Sequence, residues 1–240
     1  MTLATRHRPT GRLRFSDGSR STLKGAAREL GARSLTTFYR RMLFLAYQLE
    51  GVRIPTYSPV IETTFGTLSP RDVDSYLGLR PDTPRSEVER RLGRGDRCFV
   101  SWAGDRIVDA CWSATGSVYV PYLARFLHVP DGDIYSYDSY TLPAYRGRGL
   151  YMARNSYTAQ ANQAEGFRRS IALVAFENYS AWLILTRSGL RTLGAYHSLR
   201  LPGRGIYWTT TEPGRSLPSL STRRNERSRQ MQTLELQSET

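Results

Sequence analysis

Ile134-Tyr-Ser-Tyr-Asp-Ser-Tyr-Thr-Leu-Pro-Ala-Tyr-Arg-Gly-Arg-Gly-Leu-Tyr151 is the stretch whose reading decides the fold. Its first eight residues are aromatic, β-branched or hydroxylated with alternating character, which predicts a strand. Pro143 stops the ladder because it has no N–H to donate. Arg146-Gly-Arg-Gly149 then lets the backbone curl with its N–H groups pointing inward. From Leu150 the spacing is helical, with Ala153, Tyr157, Ala161 and Ala164 as a small-residue stripe and Gly166 as a stop. The loop therefore sits at a helix N-terminus, where unpaired amides and the helix dipole favour an anion. A bare Gly-x-Gly serves ordinary turns more often than phosphate, so the loop alone leaves both readings open. No Gly-Lys-Ser/Thr follows the glycines and the stretch holds no Gly-x-Gly-x-x-Gly, which sets two other phosphate loops aside.

Working outward, Ser170 to Phe176 is an apolar run expected as a buried strand. Asn178-Tyr-Ser-Ala-Trp-Leu-Ile-Leu-Thr-Arg-Ser-Gly-Leu190 reads as a cap, a short helix and a glycine stop, and Thr192 to Leu199 and Gly205 to Thr211 supply two last strands. Upstream, Val60 to Leu68 is a strand, Pro70 opens a helix over Arg71 to Leu79, and Arg85 to Leu92 is a second short helix. Cys98 to Trp102 and Arg106 to Trp112 flank Gly104-Asp105 as a tight hairpin, whose two-residue loop would set Cys98 opposite Cys111. Two reduced core thiols fit better than a redox pair. Residues 116–133 read as the end of a strand and a loop.

The bulk properties set limits. At 240 residues and 40% hydrophobic content the chain can bury a sizeable core, so disorder throughout is excluded. The net charge of +13 is uneven: +8 over residues 1–53, +4 over 54–211 and +1 over 212–240. The division expected is a basic N-terminal arm (1–53), an α/β domain (54–211) and a mobile polar tail (212–240). An arm this basic suits an acidic partner, nucleic acid or a membrane surface, or serves solubility alone. Its apolar segment Thr36 to Leu49, with Phe38, Met42, Leu45, Ala46 and Leu49 near one face, is expected as a helix docking on the domain. It is too short to span a bilayer, which takes roughly 20 residues. The first ten residues lack the apolar core of a secretory signal, so a cytoplasmic protein is expected. Two cysteines and three scattered histidines, His7, His128 and His197, have no metal-ligand spacing.

Two motifs about thirty residues apart resemble those of the GCN5-related N-acetyltransferase (GNAT) superfamily. Arg146, Gly149 and the preceding Pro143 match its pyrophosphate loop, Arg/Gln-x-x-Gly-x-Gly/Ala, with Tyr151 where Gly or Ala is usual. Asn178, Ala181, Ile184, Gly189 and Leu190 match its pattern Asn-x-x-Ala-x-x-Leu-Tyr followed by Gly-Phe/Leu, with Leu185 where the family has Tyr. The resemblance covers about Val60 to Thr211. It implies an α/β fold with a mixed, mostly antiparallel central sheet and helices on both faces. It also implies acetyl-CoA or another acyl-CoA as co-substrate, and a small-molecule or peptide amine as acceptor.

Under the resemblance, Arg146, Gly147, Arg148, Gly149, Leu150 and Tyr151 would hold the pyrophosphate, Ser139, Tyr140 and Thr141 would pair with pantetheine, and Asn178 would touch it too. A neutral amine held close to a thioester attacks it directly, with a backbone N–H near Ser139 for the oxyanion. Leu185 cannot supply the family's usual acid, and Tyr135 stands where a family glutamate would align. Asp138 is the sole carboxylate within the strand and the first choice as base, through water, its alternative being a pairing with a basic neighbour. Tyr137, Tyr140 and His197 are further titratable groups. The competing reading is a non-catalytic GNAT-like module that binds coenzyme A or an acidic partner.

Overall fold

The computed structural model describes residues 39–201, 204–222 and 225. Eight strands form one sheet in the order β10-β9-β1-β8-β7-β4-β3-β2. They are β1 (Tyr39–Gln48), β2 (Thr64–Thr67), β3 (Arg97–Ala103), β4 (Arg106–Ala114), β7 (Asp133–Thr141), β8 (Arg169–Ala175), β9 (Arg191–Leu201) and β10 (Arg204–Thr211). A small second sheet holds β5 (Ser117–Val120), β6 (Arg125–His128) and β11 (Leu220–Ser221). The helices are α1 (Val73–Leu79), α2 (Arg85–Gly93), α3 (Leu150–Ala164) and α4 (Tyr179–Arg187). Neighbouring strands are antiparallel except β7 and β8, which run parallel with α3 as the crossover between them.

Side-chain alternation splits the core between the two faces of the large sheet. On one face α1 and α2 pack Val73, Tyr76, Leu79 and Val88 against Cys98, Val100 and Trp112. The small sheet covers the rest of that face, over Met42, Phe44, Tyr135 and Tyr196. On the other face α4 packs Trp182 and Leu185 against Leu43, Leu45, Val174 and Ala195. There α3 lays Tyr157 against Phe65 and Phe99.

Several expectations need correcting. The segment expected as an arm helix is β1, which lies inside the sheet between β9 and β8, so the domain reaches back at least to Tyr39 rather than starting at 54. Its Met42–Ala46 run is buried without interruption because both faces are covered, and such a run satisfies a helical period as well as a strand's. The arm before Tyr39 lies outside the described residues. Residues 212–222 are not a loose tail: Tyr196 donates from its hydroxyl to the Pro218 carbonyl at 2.6 Å, and Leu220 and Ser221 pair with Leu127 and Phe126. The β3–β4 hairpin turns at Gly104-Asp105, but a bulge beside Ser101 and Trp102 moves the register by one. Cys98 then faces Trp112 and Cys111 faces Phe99, both cysteines being free and buried. The 116–133 segment holds the β5–β6 hairpin, and of Val60–Leu68 only Thr64–Thr67 is strand.

Candidate functional site

β7 and β8 stay paired only from Asp133 opposite Arg169 to Ser136 opposite Ala172. Beyond that they part, β7 following β4 and β8 following β1. β7 also carries a bulge: Ala110 faces Tyr140 and Trp112 faces Tyr137, so Asp138 and Ser139 together oppose Cys111. Asp138 takes φ 48°, a left-handed conformation that the surroundings must impose on a non-glycine residue. From the bulge onward no strand pairs with the β8 side of β7 among the described residues, leaving backbone donors and acceptors for an extended ligand.

The loop after β7 opens at the same end. Gly147 and Gly149 have φ 74° and 78°, and Gly149 is the N-cap of α3, with no side chain to cap it. The helix bonding begins at Ala153, whose N–H reaches the Gly149 carbonyl at 3.1 Å, and no acidic residue lies in the first turn. The amides of Leu150, Tyr151 and Met152 are left for an outside acceptor, and the dipole makes an anion the favoured one. The loop is braced by Val60, which donates from its N–H to the Arg148 carbonyl at 2.9 Å. The Arg146 side chain turns back, its Nε donating to the Thr141 carbonyl at 3.1 Å. What the loop offers an anion is therefore backbone more than guanidinium.

The splayed strands, the loop and the first turns of α3 and α4 enclose a cleft of about 970 Å³. Of the thirteen residues expected at the site, all but Tyr135 and Arg148 line it. Asn178 is the N-cap of α4, its Oδ1 accepting from the Ala181 N–H at 3.2 Å and the Ser180 hydroxyl at 3.1 Å. Tyr151 lies with its ring 5.1 Å from the Arg154 guanidinium, and burial pushes its phenol up to about 12 although Arg154 opposes the shift. The backbone donors survive the tyrosine that stands where a small residue was expected.

The groups considered for proton transfer are placed unequally. Asp138 has both oxygens engaged, Oδ1 with Arg80 at 3.0 Å and Oδ2 with Arg91 at 2.7 Å. Those two guanidiniums hold the bulge residue against α1 and α2, the basic pairing that was its alternative role. Tyr137 borders the cleft and donates from its hydroxyl to Asp96 Oδ2 at 2.5 Å. Burial, then that carboxylate, push the phenol well above its ordinary range, so it stays protonated. Tyr135 is buried in the core beneath the small sheet, its ring stacked on Tyr137 at 5.5 Å, and burial pushes its phenol up as well. His197 sits on β9 between Tyr39 and Trp208, its Nδ1 2.7 Å from the Tyr39 hydroxyl and its Nε2 2.9 Å from Thr210 Oγ1, away from the cleft. Leu185 packs into the core under α4. No cluster of metal-ligating side chains occurs among the described residues.

A set of residues beneath the cleft has no counterpart in the sequence reading. Arg154, on α3, is fully buried and bonds Asp109 on β4 and Ser139 on β7, while Asp109 also accepts from Thr141. The only signal was an arginine next to the small-residue stripe that faces the sheet. Its partner 45 residues earlier carries no local mark.

No protein-family model and no curated protein matches the sequence. Solved structures do resemble it. A GCN5-related glucosamine N-acetyltransferase region of a fungal multi-domain GH3 β-N-acetylglucosaminidase superposes with a TM-score of 0.50 at 14% identity, over 72% of this chain and 22% of that one. A GNAT-family acetyltransferase structure from Novosphingobium aromaticivorans gives 0.49 at 16% identity, over 72% and 66% of the two chains. A GCN5-related N-acetyltransferase from Sphaerobacter thermophilus gives 0.48 at 15%, over 84% and 59%. The chain thus spans less than two thirds of the length of each of these three neighbours. The superposition at a TM-score of 0.50 shows the fold: a mixed, mostly antiparallel central sheet with helices, the GNAT fold. No described helix is long and apolar enough to cross a membrane.

Proposed function

We propose that the chain is an acyl-CoA-dependent N-acyltransferase of the GNAT superfamily, moving an acetyl or longer acyl group to an amine. The observation that carries the reading is the unpaired edge of β7 leading straight to the uncapped N-terminus of α3. One is the shape that recognises a chain of amides, the other the charge that recognises a pyrophosphate, and the cleft has room for both. When bound, acyl-coenzyme A would supply the activated acyl group. The chain supplies positioning: the Leu150, Tyr151 and Met152 amides anchor phosphate, Ser139 to Thr141 align the arm, and a backbone N–H at the bulge stabilises the oxyanion. In this reading the proton that the amine nitrogen loses on attack passes through cleft water to the departing thiolate, while Tyr137 borders the cleft as a neutral phenol whose single proton is held by Asp96. Asp138 shapes the bulge rather than taking a proton, both its oxygens being engaged.

Thiol release from acetyl- to hexanoyl-CoA across an amine panel tests this. The panel includes amino sugars, because one neighbouring fold is a glucosamine N-acetyltransferase region, and peptides. Tyr137→Phe is expected to lower kcat by less than about 10-fold with coenzyme A affinity unchanged, because the phenol's proton is held by Asp96. A fall of about 100-fold or more would put Tyr137 in the proton transfer instead. Leu185 in place of a phenol favours a second reading, a module that binds coenzyme A without turnover. Tight binding with no thiol release from any amine selects it. The basic excess before residue 54 would then serve an acidic partner, whose binding must weaken steeply with salt.

A further inference from the structure

Arg154 and Asp109 are both without solvent exposure, an arginine–aspartate pair taken wholly out of water. Such a pair is expensive to bury and is often no more stabilising than two apolar side chains of the same volume. What it supplies beyond stability is fixed geometry. Each nitrogen of the guanidinium is used: Nε donates to Asp109 Oδ2 at 2.6 Å, Nη1 to Asn155 Oδ1 at 2.8 Å and Nη2 to Ser139 Oγ at 2.6 Å. Asp109 takes the Thr141 hydroxyl on its other oxygen at 2.5 Å. Burial, the largest influence, opposes the charge on Arg154, yet Asp109 together with Cys111 and Tyr151 raises the guanidinium's pKa, so Arg154 stays charged. The bulge is held from both sides of the sheet, Asp138 by Arg80 and Arg91 and Ser139 by Arg154.

Arg154 lies five residues past Gly149, so the group that grips β7 is in the first turns of the helix whose amides end at the loop. We propose that Arg154 is a positioning residue that couples the two halves of the cofactor cradle, fixing the α3 amides relative to the bulged end of β7 so that phosphate and pantetheine bind cooperatively. The proposal rests on the acyl-CoA reading above. Free of the guanidinium, each half would still bind its own fragment, while the whole ligand would lose the advantage of a preset spacing.

The test compares dissociation constants for coenzyme A, for pantetheine and for adenosine 3′,5′-bisphosphate in the wild type, Arg154→Met, Asp109→Leu with Arg154→Met, and Arg154→Lys. The double variant leaves no unpaired buried charge, and Arg154→Lys keeps a cation for Asp109 while giving up the fork that also reaches Ser139. Coenzyme A affinity is expected to fall by on the order of 10-fold or more in the double variant and measurably in Arg154→Lys, with each fragment nearly unaffected. A folded double variant that binds coenzyme A like wild type overturns the proposal, and so does a loss of equal size in fragments and whole ligand. Should the double variant not fold, Arg154→Lys decides by the same comparison. Wild-type protein that binds neither coenzyme A nor its fragments removes the acyl-CoA reading itself and this inference with it.

Discussion

Two helices begin at the mouth of the cleft, and they begin differently. α4 starts at Asn178, whose own side chain accepts from the Ala181 amide, so part of its first turn is satisfied within the chain. α3 starts at Gly149, in a left-handed conformation with no side chain and no acidic residue in the first turn. One end is closed on itself and the other is left open. A helix capped by glycine rather than by a side chain forgoes roughly a few tenths of a kcal/mol of local stabilisation, and leaves its first amides open to an acceptor from outside. The contrast separates the residue that shapes the site from the one that receives the ligand, although both belong to motifs that point to one cofactor.

Closing the open end is expected to have the largest effect. Gly149→Val forces a β-branched residue to φ 78° and sets its side chain beside Pro59, whose Cα would lie 3.5 Å from the new Cβ. That contact is an ordinary one, so the strain lies in the positive φ, and relieving it turns two or three amides that each contribute roughly 1.5–3 kcal/mol to a charged acceptor. Coenzyme A affinity, measured by calorimetry, should drop by at least about 10-fold, while the left-handed strain costs about 1–2 kcal/mol of stability. Unchanged affinity would mean that the phosphate binds elsewhere. Opening the closed end should do the reverse. Asn178→Ala removes the cap and is expected to destabilise by about 1 kcal/mol, lowering Tm by roughly 2–4 °C. It should weaken coenzyme A by less than about 10-fold, the ceiling for one neutral hydrogen bond. A larger loss of affinity than of stability would erase the distinction between the two ends.

The same contrast explains what could be read in the sequence. The strand, loop and helix around Gly149 were legible because a proline, two glycines and a change of period from 2 to 3.6 are local marks, and α4 was legible through Asn178 and Gly189. β1 was not, because a strand buried on both faces loses its alternation, and Met42, Leu45, Ala46 and Leu49 fit a helix equally well. The bulges were also hidden. One residue beside Ser101 separates the cysteines, and one at Asp138 turns the base first chosen into the clasp of two arginines, and neither is marked by residue type. Pairings across long separations stayed out of reach for the same reason: Arg154 with Asp109, Tyr137 with Asp96, and Leu220 with Leu127 are set by the fold as a whole.

The smallest expected effect is also the sharpest test of the two ends. Asn178→Asp keeps an oxygen for the Ala181 amide and the Ser180 hydroxyl and adds a negative charge where the α4 dipole is positive, which should stabilise by about 0.3–1 kcal/mol. That charge faces the same cleft as the α3 amides, so at low salt it should weaken coenzyme A slightly by repelling its phosphates. If α3 alone receives the phosphate, the repulsion acts through solvent and vanishes at 1 M salt, where screening reaches only about 3 Å. If the Asn178 amide group touches the ligand, its replacement removes a hydrogen bond, and the weakening survives in high salt. Persistence of the effect would show that the cap serves both helix and ligand, and that the closed end is closed only on one side.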